Sequence, residues 1–225
     1  MRALTLLTAI GLARIATSQC KNQITMVPRR AMKAAAHPRD FVRFKYSLSR
    51  FDKLLIRSHE DTETSIGPYD LGFLIEHSGT TIRSVTLRGL PEFRREDYGF
   101  SEAFTTVAVT RACGREEPIY FLTMKYMGDE LSPVLVYVII PSAQGYEVLP
   151  LPMFSGGTVD VSTRAPLRLR VWNNLNEGMC NACKTAYQIT DYEIRDGKFV
   201  QGRRQRTRRL YSSDQFDESR IRFTP

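Results

Sequence analysis

The sequence predicts an all-β fold: antiparallel hairpins and meanders arranged as propeller-like blades or as a β-sandwich. Three observations predict it. Short runs of alternating apolar and polar residues recur from about Phe41 to Tyr211. Polar turns punctuate those runs, most clearly at Asp196-Gly197 between Tyr192-Glu-Ile-Arg195 and Lys198-Phe-Val200. An Asp-Gly pair accepts the positive backbone angles of a type I′ turn, whose twist matches that of its flanking strands. Long helical periodicity is missing, so no βαβ unit and no parallel sheet are implied.

The chain opens on what reads as an export signal, residues 1–18. Arg2 supplies the positive start, and Ala3 to Ala13 form an apolar core too short to span a bilayer as a helix. Ala16-Thr17-Ser18 places small residues where a signal peptidase cuts, although Arg14 interrupts the approach. Cys20 raises a lipid-anchored alternative, but Gln19 stands where that route needs a small residue. An ordinary N-terminal helix is the other alternative. No later run reaches transmembrane length, the longest apolar stretch being Val134 to Ile140. The mature chain is therefore expected to be secreted or periplasmic, without a transmembrane span.

Residues 19–39 read as a basic linker or arm, with room for a short helix from Arg30 to Ala36 that ends before Pro38. Residues 40–225 read as a single β-rich domain. Val42, Phe44, Tyr46 and Leu48 alternate with Arg43, Lys45 and Ser47, a period of two with one apolar and one wet face. Phe51 to Arg57 is its partner. Tyr69 to Glu76 and Thr81 to Arg88 flank a turn at His77-Ser-Gly-Thr80. Phe104 to Arg111 and Ile119 to Met127 follow, the latter with Tyr120, Leu122, Met124 and Tyr126 on one face. Val134 to Ile140 suits a buried strand. Ser142-Ala-Gln-Gly145 turns the chain into Tyr146 to Leu151. Thr158 to Ser162, Leu167 to Trp172, the Asp196-Gly197 hairpin and a basic tail strand complete the series. Its repetition shows no fixed period.

The cadence Ala103 to Val109, Ile119 to Met124, Val134 to Val138 and Gly145-Tyr-Glu-Val148 resembles secreted bacterial proteins with integrin-like propeller repeats, the FG-GAP or VCBS type. Leu167 to Trp172 and Cys180-x-x-Cys183…Asp196-Gly-Lys-Phe199 extend the resemblance, which spans residues 100–211. It implies a repeat-built, non-catalytic binding or surface domain. The family's acidic calcium loop is missing here. Gly128-Asp-Glu does not replace it, since calcium needs several convergent oxygens.

Of the 225 residues, 42% are hydrophobic and 10% aromatic, which suits a globular chain rather than a disordered one. The net charge is +8, and loss of Arg2 and Arg14 with the signal would lower it by two. The four cysteines, Cys20, Cys113, Cys180 and Cys183, make an even count that favours disulfides in an exported protein. A bond involving the Cys180/Cys183 pair is expected, with Cys113 a candidate partner.

Cys180-Asn-Ala-Cys183 has redox spacing, but such a pair opens a helix in a thioredoxin-like setting, and here hairpins surround it. Haem attachment needs histidine after the second cysteine, where Lys184 stands. Structural zinc needs four ligands, and only Cys113 and the scattered His37, His59 and His77 are left to supply them. No metal or cofactor is expected. A structural disulfide closing the loop after Trp172 is the simplest reading.

Arg203, Arg204, Arg206, Arg208 and Arg209 crowd the basic tail. On one strand, Arg204, Arg206 and Arg208 would share a face, with Arg203 and Arg209 opposite. Guanidinium forks bind phosphate and carboxylate bidentately, so a polyanionic glycan, lipid headgroup or nucleic acid is the partner such a ladder suits. A charged edge strand that blocks edge-to-edge pairing is the alternative. Trp172, followed by Asn173, Asn174 and Asn176, has the composition of a carbohydrate contact and also that of a core plug. No catalytic residue is assigned. Glu76-His77-Ser78 are strand neighbours that point apart, and the Gly-x-Ser-x-Gly, His-Glu-x-x-His and phosphate-loop patterns do not occur. The expectation is an exported, non-catalytic interaction module. A secreted hydrolase on a β scaffold and a thiol–disulfide protein are the alternatives.

Overall fold

A computed structural model describes residues 23–31, 40–59, 70–86, 100–111, 117–126, 133–152, 154–162, 167–175, 183–195, 197–212 and 222–224. The signal segment, Cys20, Cys113 and Cys180 lie outside them. The described residues hold strands and no helix. They form three sheets, each built on a four-stranded antiparallel meander, as the alternation and turns predict.

In the first sheet the meander is β3 (Asp40–Ser47), β4 (Asp52–His59), β5 (Asp70–His77) and β6 (Thr80–Thr86). In the second it is β7 (Phe100–Arg111), β8 (Ile119–Tyr126), β9 (Pro133–Ser142) and β10 (Gly145–Pro150). The short β11 (Phe154–Ser155) also pairs with β9. In the third it is β12 (Thr158–Ser162), β13 (Arg168–Asn174), β14 (Tyr187–Arg195) and β15 (Lys198–Arg206). The turn between the third and fourth strands of each meander carries a glycine at positive φ: Gly79 at 87°, Gly145 at 111° and Gly197 at 69°. L side chains enter that region at a cost, which favours glycine at these positions; Ser78, at φ 50°, is the one described non-glycine residue there.

Each meander gains a strand beside its first member. The expected N-terminal arm is strand where it is described. β1 (Gln23–Met26) pairs with β7, and β2 (Arg29–Ala31) pairs with β3. Arg30 therefore sits in a strand, not in a short helix. The switch occurs at Val27-Pro28, where the Val27 N–H donates to the Val107 carbonyl at 2.8 Å. One segment thus joins the second sheet to the first. β16 (Arg222–Thr224) lies beside β12 in parallel, an exception to the expected all-antiparallel pairing.

The sheets stack face to face with the second in the middle. Its Val107, Tyr120, Leu122, Met124, Leu135, Tyr137 and Ile139 meet Tyr46, Leu54, Ile56, Phe73 and Ile75 of the first sheet. Its opposite face, including Phe121, Val136 and Val138, meets Val159, Val161, Leu169, Val171 and Tyr192 of the third. This explains why Ile119 to Met124 and Val134 to Ile140 are buried at every position.

Candidate functional site

The arginine-rich tail begins on β15, which among the described strands pairs with β14 alone and forms an edge of the third sheet. Gln201 stands opposite Tyr192 and Arg204 opposite Thr190, so Gly202 and Arg203 together face Asp191 in a bulge. Arg204 and Arg206 share one face. The strand ends at Arg206 because a side chain takes over the next ladder position. The Thr207 hydroxyl accepts the Tyr187 N–H at 2.9 Å, while the Thr207 N–H still reaches the Tyr187 carbonyl. Four residues later, Tyr211 exchanges two backbone bonds with Thr185.

The partner segment advances two residues between those anchor points, while this chain advances four. Arg208, Arg209 and Leu210 are exposed between them. The five arginines therefore form a strand segment followed by an anchored loop, not the single ladder that alternation predicts. The physical reason is the Thr207 hydroxyl, which satisfies a ladder donor and releases the chain.

Arginines on the neighbouring strands are neutralised. Arg170 grips Asp191 in a fork, with Nε to Oδ1 at 2.7 Å and an Nη to Oδ2 at 3.2 Å. That hydrogen bonding raises the Arg170 pKa against the opposing effect of burial. Glu193 sits between Arg168 at 3.1 Å and Arg195 at 2.5 Å. The hydrogen bond from Arg195 is the main influence holding the partly exposed Glu193 carboxyl below its ordinary range. By contrast, Arg203, Arg204, Arg208 and Arg209 are exposed and form no ion pair among the described residues.

Trp172 lies half-buried beneath the loop. Its indole N–H donates to Asp160 Oδ2 at 2.6 Å, and its ring meets Tyr187 and Tyr211 edge-on, with centroids 6.3 and 5.8 Å away. Tyr187 and Tyr211 also meet each other at 6.1 Å. These three aromatic groups are thus engaged with one another beside the loop that carries Tyr211. Gly157 fits against this strand only because it has no side chain: a Cβ there would lie 1.8 Å from the Trp172 carbonyl oxygen. Cys183 is disulfide-bonded, and its partner lies outside the described residues.

A second constellation escaped sequence reasoning. Asp52 follows the β3–β4 turn, and its carboxylate gathers groups from two sheets. His77 Nδ1 is 2.8 Å from Oδ1, while the hydroxyls of Ser49 and Tyr146 donate to Oδ2 at 2.5 and 3.0 Å. Asp52 is 16% exposed and His77 55%, so the carboxylate is covered while the imidazole stays open to solvent. Asp52 and His77 are cross-strand register partners, a relation invisible before the strands pair. The recognisable local sign is Ser49-x-x-Asp52, in which Ser49 Oγ also accepts the N–H groups of Phe51 and Asp52. Both carboxylate oxygens are occupied, so the cluster acts as a clamp from the first sheet to Tyr146 of the second. Beside it, a groove of about 600 Å³ runs between β6 and β10, with Ile82, Arg83, Tyr146 and Glu147 among its lining residues.

Comparison with protein families, curated proteins and solved structures finds no match to this chain.

Proposed function

We propose that this protein is an exported, non-catalytic interaction module that binds a polyanionic glycan along β15 and the loop after it. One observation carries the reading: arginines on β13 and β14 are matched with acids, whereas Arg203, Arg204, Arg208 and Arg209 have no acid partner among the described residues. Uncompensated like charges held close together repel, and an anionic ligand relieves that repulsion.

Three features favour a linear polymer recognised by charge. The cations follow an edge strand and its loop, which is a line rather than a plane. They lie on both faces of that edge, whereas a flat membrane meets one. The rings of Trp172, Tyr187 and Tyr211 pack on each other, so these three offer no open platform for stacking nucleobases. Replacing Arg203, Arg204, Arg206, Arg208 and Arg209 with glutamine is expected to abolish retention on a heparin column. Salt elution equal to that of the wild type would overturn the reading. Duplex DNA and anionic vesicles, run in parallel, distinguish the other polyanions.

The N-terminal segment, with Arg2, the Ala3 to Ala13 core and Ala16-Thr17-Ser18, supports export. Cell fractionation tests this, and recovery of uncleaved protein in the cytoplasm would refute it. The resemblance to FG-GAP or VCBS propeller repeats draws support from three successive meanders, each with its glycine at the same turn.

A further inference from the structure

We infer that the outer face of the first sheet is a second polyanion-binding surface, so that the stack bridges two anionic chains or two segments of one. This rests on the polyanion reading above and extends it to a different sheet.

Tyr46, Leu54, Ile56, Phe73 and Ile75 point into the first core, so the residues alternating with them face outward. Arg30 on β2 stands directly opposite Lys45 on β3. Lys45 is opposite Leu55 on β4, and Lys53 and Arg57 lie two residues to either side of Leu55 on the same face. Lys53 and Arg57 are about 13 Å apart at a rise near 3.3 Å per residue. Three cations therefore border the buried Leu55, whose other neighbour is Leu74 on β5, and Arg30 lies one strand beyond Lys45. Among the described side chains of this face the sole acid is Glu76, in register with Lys53.

Like charges directly opposite on adjacent strands destabilise a sheet. In the third sheet Arg168 faces Glu193 and Arg170 faces Asp191. Arg195 does face Lys198, but Glu193 holds Arg195 in an ion pair. Among the described residues, Arg30 and Lys45 have no such relief. A pairing that opposes folding is accounted for when an anion outside the chain supplies the missing charge.

The first and third sheets lie on opposite sides of the second, so two inter-sheet spacings of about 10 Å separate them. The two basic regions sit too far apart to act on one sulfate or phosphate group. A polymer reaches both, and the second contact is then effectively intramolecular.

The test uses heparin in two assays, column retention and agglutination of heparin-coated beads. The wild type is expected to agglutinate the beads. The Arg30→Gln/Lys45→Gln/Lys53→Gln variant is expected to elute at lower salt, to remain retained through β15, and to lose agglutination. Agglutination by this variant equal to the wild type overturns the inference, as does a wild type that binds beads without joining them. Failure of the β15 reading shows separately, as unchanged retention of the glutamine variant of β15 and its loop. Lys45→Glu adds a control for folding, because it places opposite charges in register with Arg30. It is expected to raise Tm while lowering the elution salt. A lower Tm with unchanged elution overturns the argument.

Discussion

Asp52 shows how a short-range arrangement governs a long-range contact. Partial burial by itself would raise its pKa. Hydrogen bonds from Ser49, His77 and Tyr146 outweigh that effect and hold the carboxyl below its ordinary range. A carboxyl with a depressed folded pKa stabilises the fold above its unfolded value near ~3.9, and the benefit is lost as pH falls through the folded value. Asp52→Asn is therefore expected to cost about 1 kcal/mol at neutral pH, the net scale of such hydrogen bonds. The difference from wild type should shrink below about pH 4. Denaturant titrations across pH check this, and a pH-independent difference would remove ionisation from the account. At high pH the tyrosines dominate. Burial is the main cause raising Tyr46 to about 12, and it also raises Tyr146 and Tyr192. Groups that must stay protonated when folded lose that stabilisation as pH climbs past their unfolded value, ~10.

Among the elements, those with strong alternation were legible and those held by remote partners were not. Lys198 to Val200 pairs with Arg195, Ile194 and Glu193 as the Asp196-Gly197 turn predicts, and Gly197 has the required positive φ. β1, β2, β11 and β16 were unpredicted: each has four residues or fewer, too short to display a period. Their pairing with strands distant in sequence makes them strands. The segment carrying β1 and β2 ties two sheets, and Arg29 adds a cation–π contact over the Phe44 ring at 4.3 Å. Deleting the chain up to Ala31 is expected to lower Tm by about 5 °C or more, the scale of a loss of 2 kcal/mol in a domain of this size. An unchanged melting curve would show that the segment is dispensable. The same limit explains the tail. Five arginines in a row of seven read as a ladder, but Thr207 ends it through bonds to Tyr187 across the sheet.

At the scale of the whole molecule, the middle sheet bears both cores, so substitutions there should cost more than on an outer edge. Phe121 is fully buried, whereas Phe199 is only partly buried against the second core. Phe121→Ala is expected to cost about 3–5 kcal/mol and Phe199→Ala roughly half that. Equal losses in urea denaturation would contradict the three-layer arrangement of burial. The sequence alone determined the class, most strand positions and the three glycine turns, because alternation and positive φ are local properties. It also marked the arginine cluster and the apolar run Val134 to Ile140. Only the tertiary structure decided that three sheets stack, that Asp52 meets His77 and Tyr146, and which arginines are neutralised. Those outcomes depend on register and on contacts between distant segments. A one-residue change in register would send a side chain to the opposite face, and no local pattern records that choice.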